Sequence, residues 1–494
     1  LFITSLALLL SLLFKKFSTA ANNKKSLPSP SKLPVIGNLH QIGYLRHRSL
    51  KTMALMLLHL GNVPVLVVSS ADAACEAMKT HDPIFASRPK SKGFEKLLYN
   101  YRDVATSPYG EYWTQMKSKY VLHLLSKKLS LSAKLRRRDN INDIRKSSSS
   151  SLPVNLNETI ATLTIDVVCR VALGKKYRRG DGGMRLKKLL KEFMELLGGF
   201  NLGDYVPWLA WVSRVNGLDA KLEKVAKGFD EFLDGDVREL IERLKNRSDA
   251  HGSVQGEEQK DFLDVLLSIQ KENTIGFPVE TINIKAMILD VFAAGTDTTF
   301  ATLEWAMSEL LRHPKVMKKL QNEVRTIAGD KLNITEGNLD KLHYLKAVIK
   351  ETLRLHPPFP LLLARESSKD VKVKSYGIEA KTQVYVNAYA IGRDPMSWEH
   401  AEEFLPERFL NNSIDVKGHD FQFIPFGAGR RGSPGAEFAM AIIELVLANL
   451  MHKFDWAQPG VGEQNLDMTE STGITMHRKF SLTVVSTPHS FQAI

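Results

Sequence analysis

The sequence predicts one large, mainly α-helical domain with a small β region, and three observations predict it. Its 494 residues are 44% hydrophobic, enough to bury a substantial core. Long stretches space their apolar residues three and four apart, the helical period. Only two runs, "PVLVVSS" (64–70) and "TQVYVNAYAI" (382–391), carry the β-branched and aromatic density of strands, which places a small sheet near the amino-terminal third. No repeat period is present. Lysine and arginine number 67 against 54 aspartate and glutamate, a net charge of +13 gathered in clusters such as "KLRRRDN" (134–140) and "KKYRRG" (175–180). Such charge suits an anionic membrane surface or an acidic protein partner. Nucleic acid is disfavoured, because no aromatic-plus-basic module or zinc-finger spacing accompanies it. Cys75 and Cys169 lie far apart in apolar stretches, so a disulfide framework is not expected and the chain is read as facing a reducing compartment.

The elements follow in order. Leu1 to Phe14 is continuously apolar or small and then meets Lys15 and Lys16. A bilayer needs about 20 residues, so residues 1–25 are expected to be the end of a membrane anchor and its flank, the first residues missing and the lysines cytoplasmic. A signal-peptide core is the alternative. Residues 26–43 hold Pro28, Pro30 and Pro34 and predict a stiff strap that fixes the body against the membrane. Residues 44–494 read as one domain. Within it, "LDAKLEKVAKGFDEFLDGDVRELIERLKNR" (218–247) predicts an amphipathic helix, and the polar "SDAHGSVQGEEQ" (248–259) a surface loop.

Four segments carry chemistry. Met287 to Pro314 is a helix apolar enough for the interior, yet Thr296, Asp297, Thr298 and Thr299 interrupt it. Buried polar groups need partners. A threonine hydroxyl can bond the carbonyl one turn earlier and bend the helix, with Gly295 opening room beside it. In "YLKAVIKETLRLHPPFP" (344–360), Glu351 and Arg354 share one helix face and Pro357–Pro358 end the helix. Alone, such a pair is most often an exposed ion pair of little worth. "PERF" (406–409) offers Arg408 to the same carboxylate. Finally, "PFGAGRRGSPGAEFAM" (425–440) combines glycines that permit close backbone approach with Arg430 and Arg431, planar donors suited to carboxylates. Ser433 and Pro434 read as N-cap and first residue of a following helix.

Together, in this order, these segments resemble a cytochrome P450, specifically a plant microsomal one of the A-type, from the branch that hydroxylates terpenoids and other small secondary metabolites. The likeness spans essentially the whole chain. Phe426, Gly429, Arg431 and Gly435 match the family pattern F-x-x-G-x-R-x-C-x-G, Ala294 to Thr299 match A-G-x-[DE]-T-[TS], and Glu351 and Arg354 match E-x-x-R. "FNLGDYVPWLAWV" (200–212) is similar to enzymes of the menthofuran synthase-like subfamily, which implies a monoterpene-sized substrate. The resemblance implies the P450 fold, haem as cofactor, and an endoplasmic reticulum membrane protein with its domain on the cytoplasmic side. It implies electrons from NADPH through NADPH-cytochrome P450 reductase, with cytochrome b5 as an optional second partner. Asp297 and Thr298 would relay protons during oxygen activation. Trp113, Lys117, Arg365 and Arg431 would hold the haem propionates, with Phe426 and Gly435 beside the ring. Glu351, Arg354 and Arg408 would brace its proximal side. Phe94, Ala293, Ala294, Phe359, Leu363 and Ile474 would line a pocket for a small lipophilic substrate.

Position 433 should then be cysteine, and it is serine. The family's thiolate binds the iron and promotes O–O cleavage; a hydroxyl is harder and far less acidic. Ser433 at the axial position implies impaired oxidation and weaker haem binding. Thr114 and Ser118 replace basic residues of the family's propionate-facing helix, Ala364 stands where proline is usual, and 47–61 is a few residues short. A non-catalytic haem- or ligand-binding homologue is the second expectation.

Overall fold

A computed structural model describes residues 27–51, 53–124, 153–174, 181–249, 262–272, 277–460 and 466–489. The expected anchor (1–25), the basic clusters at 134–140 and 175–180, and most of the loop 248–259 lie outside the described residues. Among the described residues are nine helices of eleven residues or more: α1 (Glu111–Leu124), α2 (Leu156–Leu173), α3 (Asp181–Leu197), α4 (Leu218–Asp249), α5 (Phe262–Glu272), α6 (Thr281–Arg312), α7 (Pro314–Ala328), α8 (His343–Leu355) and α9 (Ala436–Lys453). The strands are β1 (Leu55–Leu60), β2 (Val63–Val68), β3 (Val154–Asn155), β4 (Arg365–Glu366), β5 (Val371–Val373), β6 (Tyr376–Ile378), β7 (Gln383–Val386), β8 (Phe454–Ala457) and β9 (Thr483–Pro488).

Helix α6 organises the interior. It starts at a capping box in which Glu280 and Asn283 exchange hydrogen bonds, and it stops before Pro314, which opens α7. Its first half, with Ile284, Met287, Leu289 and Phe292, packs into an apolar cluster shared with α3, α4 and α5. Its second half, with Leu303, Met307 and Leu310, belongs to a cluster shared with α7, α8 and α9. Helix α2 runs alongside it, and Gly295 allows the approach: a Cβ there would stand 3.3 Å from Val168 Cγ2. The predicted helix 218–247 is the body of α4.

The larger sheet has the order β1-β2-β7-β4, with β2 antiparallel to β1 and parallel to β7 in the register Val65↔Gln383. It joins segments from both ends of the chain, so the sheet is not confined to the amino-terminal third. The strand expected over 64–70 is β2, which ends early because Ser70 leaves to cap a short helix, its hydroxyl accepting the Ala73 N–H at 3.4 Å. The strand expected over 382–391 stops at Val386. Asn387 accepts the Ala390 N–H at 3.1 Å and starts a helical turn, Ala388–Ile391, a cap that outweighs the β-rich composition. The proline strap docks on β1: buried Asn38 accepts the His59 N–H at 2.8 Å and donates its backbone N–H to His59 O at 2.6 Å.

Candidate functional site

The loop 425–435 is held in a shape that only glycine permits. Gly427 and Gly429 have φ of +71° and +66°, and a Cβ on Gly429 would sit 2.2 Å from Met78 O and 2.7 Å from Asp82 Oδ1. That closeness lets Asp82 Oδ2 accept the Arg430 N–H at 2.8 Å. Ser433 follows, its N–H donating to Phe426 O at 2.9 Å. Helix α9 begins later than the sequence suggests: Gly435 is its N-cap and Ala436 its first residue. Ser433 is therefore not the N-cap. Its hydroxyl instead accepts the Gly435 N–H at 3.3 Å, two residues before the cap, because the glycine-shaped loop delays helical backbone.

This loop closes a cavity to which Ala294, Gly295 and Thr298 of α6 also contribute, together with Phe359, Leu362, Leu363, Phe426 and Phe438. Ser433 and Gly435 face it as well. One part of the wall is strongly cationic, formed by Arg88, Lys117, Arg365 and Arg431 with Trp113 among them. The Arg431 guanidinium donates only to carbonyls, those of Ala86, Val104 and Ser107, and lies 4.5 Å from the Trp113 ring centroid. Arg88 also donates only to carbonyls, those of Ala105, Leu363 and Ala364. Arg365 has one carboxylate, Asp82, at 3.2 Å. Lys117 donates to Arg430 O. Burial, then mutual repulsion, pushes the Lys117 ammonium down to about 8 and Arg431 down to about 10. Thr114 points its hydroxyl back to Gly110 O at 2.9 Å and is exposed, taking no part in this wall.

A second cavity, about 940 Å³, adjoins the first and shares Leu362 and Leu363 with it. Phe94 and Ile474 line this one, while Phe359 and Ala294 line the first. Ala293 lines neither; it packs into the apolar cluster of α3, α4 and α5.

Asp297 and Thr298, adjacent in sequence, diverge. Thr298 faces the cavity and its hydroxyl donates to Ala294 O at 2.5 Å, the back-bonding to the previous turn that a helical threonine can make. Asp297 points elsewhere: both its oxygens lie 3.1 Å from His477 Nε2. Burial alone would raise its carboxyl, yet the charge and hydrogen bonds of His477 hold it below the ordinary carboxylate value.

Glu351, Arg354 and Arg408 do assemble. Arg354 grips Glu351 through two bonds of 2.7 and 2.8 Å, and Arg408 Nε adds a third at 3.1 Å. Both partners of the first pair are wholly buried, where the spacing alone suggested a surface pair. Two charged residues of the cavity wall escaped the sequence reading. Asp290, a charge inside the apolar run of α6, left a legible signal; Arg88, in "ASRPK", left none.

The family model for cytochrome P450 matches residues 27–484. Cytochrome P450 736A117 of Prunus mume is 56% identical, covering 98% of this chain and 95% of its own length. Cytochrome P450 71A4 of Solanum melongena is 50% identical over 96% and 95%, and norfluorocurarine oxidase of Strychnos is 48% identical over 97% and 96%. In fold, a zebra fish cytochrome P450 solved with progesterone superposes with a TM-score of 0.75 at 22% identity, covering 90% of this chain and 99% of the other. With a family model spanning nearly its full length and relatives 48–56% identical over nearly all of it, the chain belongs to the cytochrome P450 family.

Proposed function

We propose that this chain derives from a haem-dependent monooxygenase of small lipophilic, terpenoid-like plant metabolites and that Ser433 impairs its chemistry. The observation that carries the reading is the cavity between α6 and the 425–435 loop. Four buried or half-buried cations, Arg88, Lys117, Arg365 and Arg431, meet there with Asp82, among the described residues, the one carboxylate in direct contact, so the wall calls for an anionic ligand. The two carboxylates of a haem supply that charge, and the rest of the wall is mostly apolar, with Asp290, Thr298 and Ser433 among its polar exceptions, so cationic edge and apolar walls fit the group. Position 433 does not fit in the same way, because a serine hydroxyl stands where the family has a thiolate.

When bound, haem supplies oxygen activation and electron transfer that side chains cannot. The chain's own residues would do the rest. Arg365, Arg431 and Lys117 would neutralise the carboxylates, and Trp113 would pack between them. Phe426 and the glycine loop would hold the ring edge close to α9. Glu351, Arg354 and Arg408 would brace α8 behind that loop. Thr298 would present a hydroxyl at the cavity and Asp297 would deliver protons to it. Phe94, Phe359, Leu363 and Ile474 would exclude water around an apolar substrate. Electrons would arrive from NADPH through NADPH-cytochrome P450 reductase, or from cytochrome b5, and residues 1–25 would anchor the domain 44–494 to the cytoplasmic side of the endoplasmic reticulum.

A second reading, a ligand-binding homologue without catalysis, is favoured by the same Ser433. Absorption spectra of the reduced, haem-loaded protein under carbon monoxide separate the two. The chain as it stands is expected to lack the red-shifted band of a thiolate ligand, and Ser433→Cys to gain it together with turnover. A red-shifted band from the serine chain would overturn the proposed impairment; silence after Ser433→Cys would favour the binding protein.

A further inference from the structure

The loop Glu470–Arg478 is stitched to α6 along two turns. Trp305 Nε1 donates to Met476 O at 2.8 Å, the Arg478 N–H to Glu304 at 3.1 Å, and the Arg478 side chain to Ser308 Oγ at 2.9 Å. Within this seam His477 lies between two carboxylates of the helix. Its Nε2 is 3.1 Å from each oxygen of Asp297, and its Nδ1 is 3.6 Å from Glu304 Oε2. Arg478 is the charged neighbour on its own segment, its guanidinium directed to Ser308 and to Asp467 O; the Phe300 ring lies 5.3 Å from the imidazole, and Asn157 of α2 donates to Glu304 at 2.5 Å. About a fifth of the His477 side chain stays accessible, at 22%. Asp297 is absent from the cavity wall that its neighbour Thr298 forms.

We propose that His477 is a positioning residue that stores the proton which Asp297 carries to the cavity. The inference rests on the proposed function for the cavity itself, and its chemistry balances with one proton and no electrons. The Nε2–H bond breaks and an O–H bond forms on Asp297. The carboxyl turns off the ring and releases the proton at the hydroxyl of Thr298 or at water beside it. The neutral imidazole regains a proton from solvent at Nε2 once the carboxyl has turned off it, since Nδ1 is buried. Burial lowers the ring's proton affinity, but Asp297 and Glu304 outweigh it and push His477 up to about 10. In the closed pair the proton therefore sits on the ring, and transfer inward is uphill until Asp297 turns. The pair thus both stocks the proton and keeps it out of the cavity between cycles.

Nitrogen NMR of the chain labelled at histidine, assigned with His477→Asn, tests storage without any turnover. The His477 ring should remain imidazolium through pH 8, and Asp297→Asn should drop its midpoint toward the ordinary 6.5. A ring already neutral at pH 8, or a midpoint indifferent to Asp297→Asn, overturns the inference, and the second comparison stands even if His477→Asn fails to fold. Turnover is then read in the Ser433→Cys chain with reductase. His477→Arg keeps a cation against Asp297 but cannot yield its proton, so it should retain stability and lose rate. Full rate with arginine overturns the storage role. If Ser433→Cys alone shows no turnover, the proposed function fails, while the ring titration still decides whether His477 holds the proton.

Discussion

Glu351 is the side chain with the fewest alternatives. One oxygen accepts from Arg354, Arg408 and the Leu405 N–H, the last at 2.7 Å, and the other accepts from Arg354 Nε. The spare donors of Arg354 go to the carbonyls of Gly392, Ala401 and Glu403. Removing the carboxylate leaves two guanidinium groups without their anion, one of them at 0% exposure. Glu351→Gln is therefore expected to cost about 3–5 kcal/mol in urea unfolding. A loss below about 1 kcal/mol would mean that the carbonyls alone satisfy Arg354. The pairing was legible in the sequence because three residues of helix separate its members. Its burial was not, since the lid consists of carbonyls from residues 392–403 that no local pattern connects to α8. Ser433 shows the same divide: the odd hydroxyl was plain, but its place two residues before the cap depends on the φ of Gly429 against Met78.

Helix α6 shows what an element's sequence can and cannot convey. The apolar run and its polar break at 296–299 were legible by period, as was the bond from the Thr298 hydroxyl to the carbonyl one turn earlier. The direction taken by Asp297 was not, because its partner arrives from the C-terminal loop. Asp290 makes the same point earlier in the helix. Its carboxylate accepts the Val104 N–H at 2.7 Å and the Ala105 N–H at 3.4 Å, tying α6 to a loop 186 residues away. Burial, then the charge of Asp103, raises the Asp290 carboxyl well above its ordinary 3.8, and burial pushes Asp103 up to about 6. A raised carboxyl means that the folded state keeps its proton while the unfolded chain gives it up. The pair's contribution to stability is then fully present below about pH 4 and is lost as pH rises through the folded values. Asp290→Asn retains an acceptor for Val104 and removes the charge. Its urea midpoint should match the parent at pH 4 and exceed it at pH 8; a lower midpoint at pH 8 would show that the ionised acid is the better partner for the loop.

At the scale of the whole molecule, the mainly helical class with a small β region followed from composition and period, whereas the way the two ends of the chain meet did not. The larger sheet brings residues 55–68 beside 365–386 by long-range pairing that no window of sequence contains. A buried cluster fastens the same ends. Glu470 accepts from His47 Nε2 at 2.8 Å and from Arg48 at 2.8 and 2.9 Å, with its own side chain 2% exposed. Burial would raise this carboxyl, but the hydrogen bonds from His47 and Arg48, then their charge, pull it down from 4.5 to about 2. A depressed carboxyl contributes stability that is fully present above pH 4.5 and disappears as pH falls through 2, on the order of 3 kcal/mol for a shift of this size. Glu470→Gln should therefore be less stable than the parent near neutral pH, and its disadvantage should shrink steadily below pH 4.5 as the parent takes up the proton that the variant never releases. Chemical unfolding followed from pH 6 to pH 3 measures this convergence. A gap that stays constant across that range would move the acid sensitivity of the fold away from the junction of its two ends.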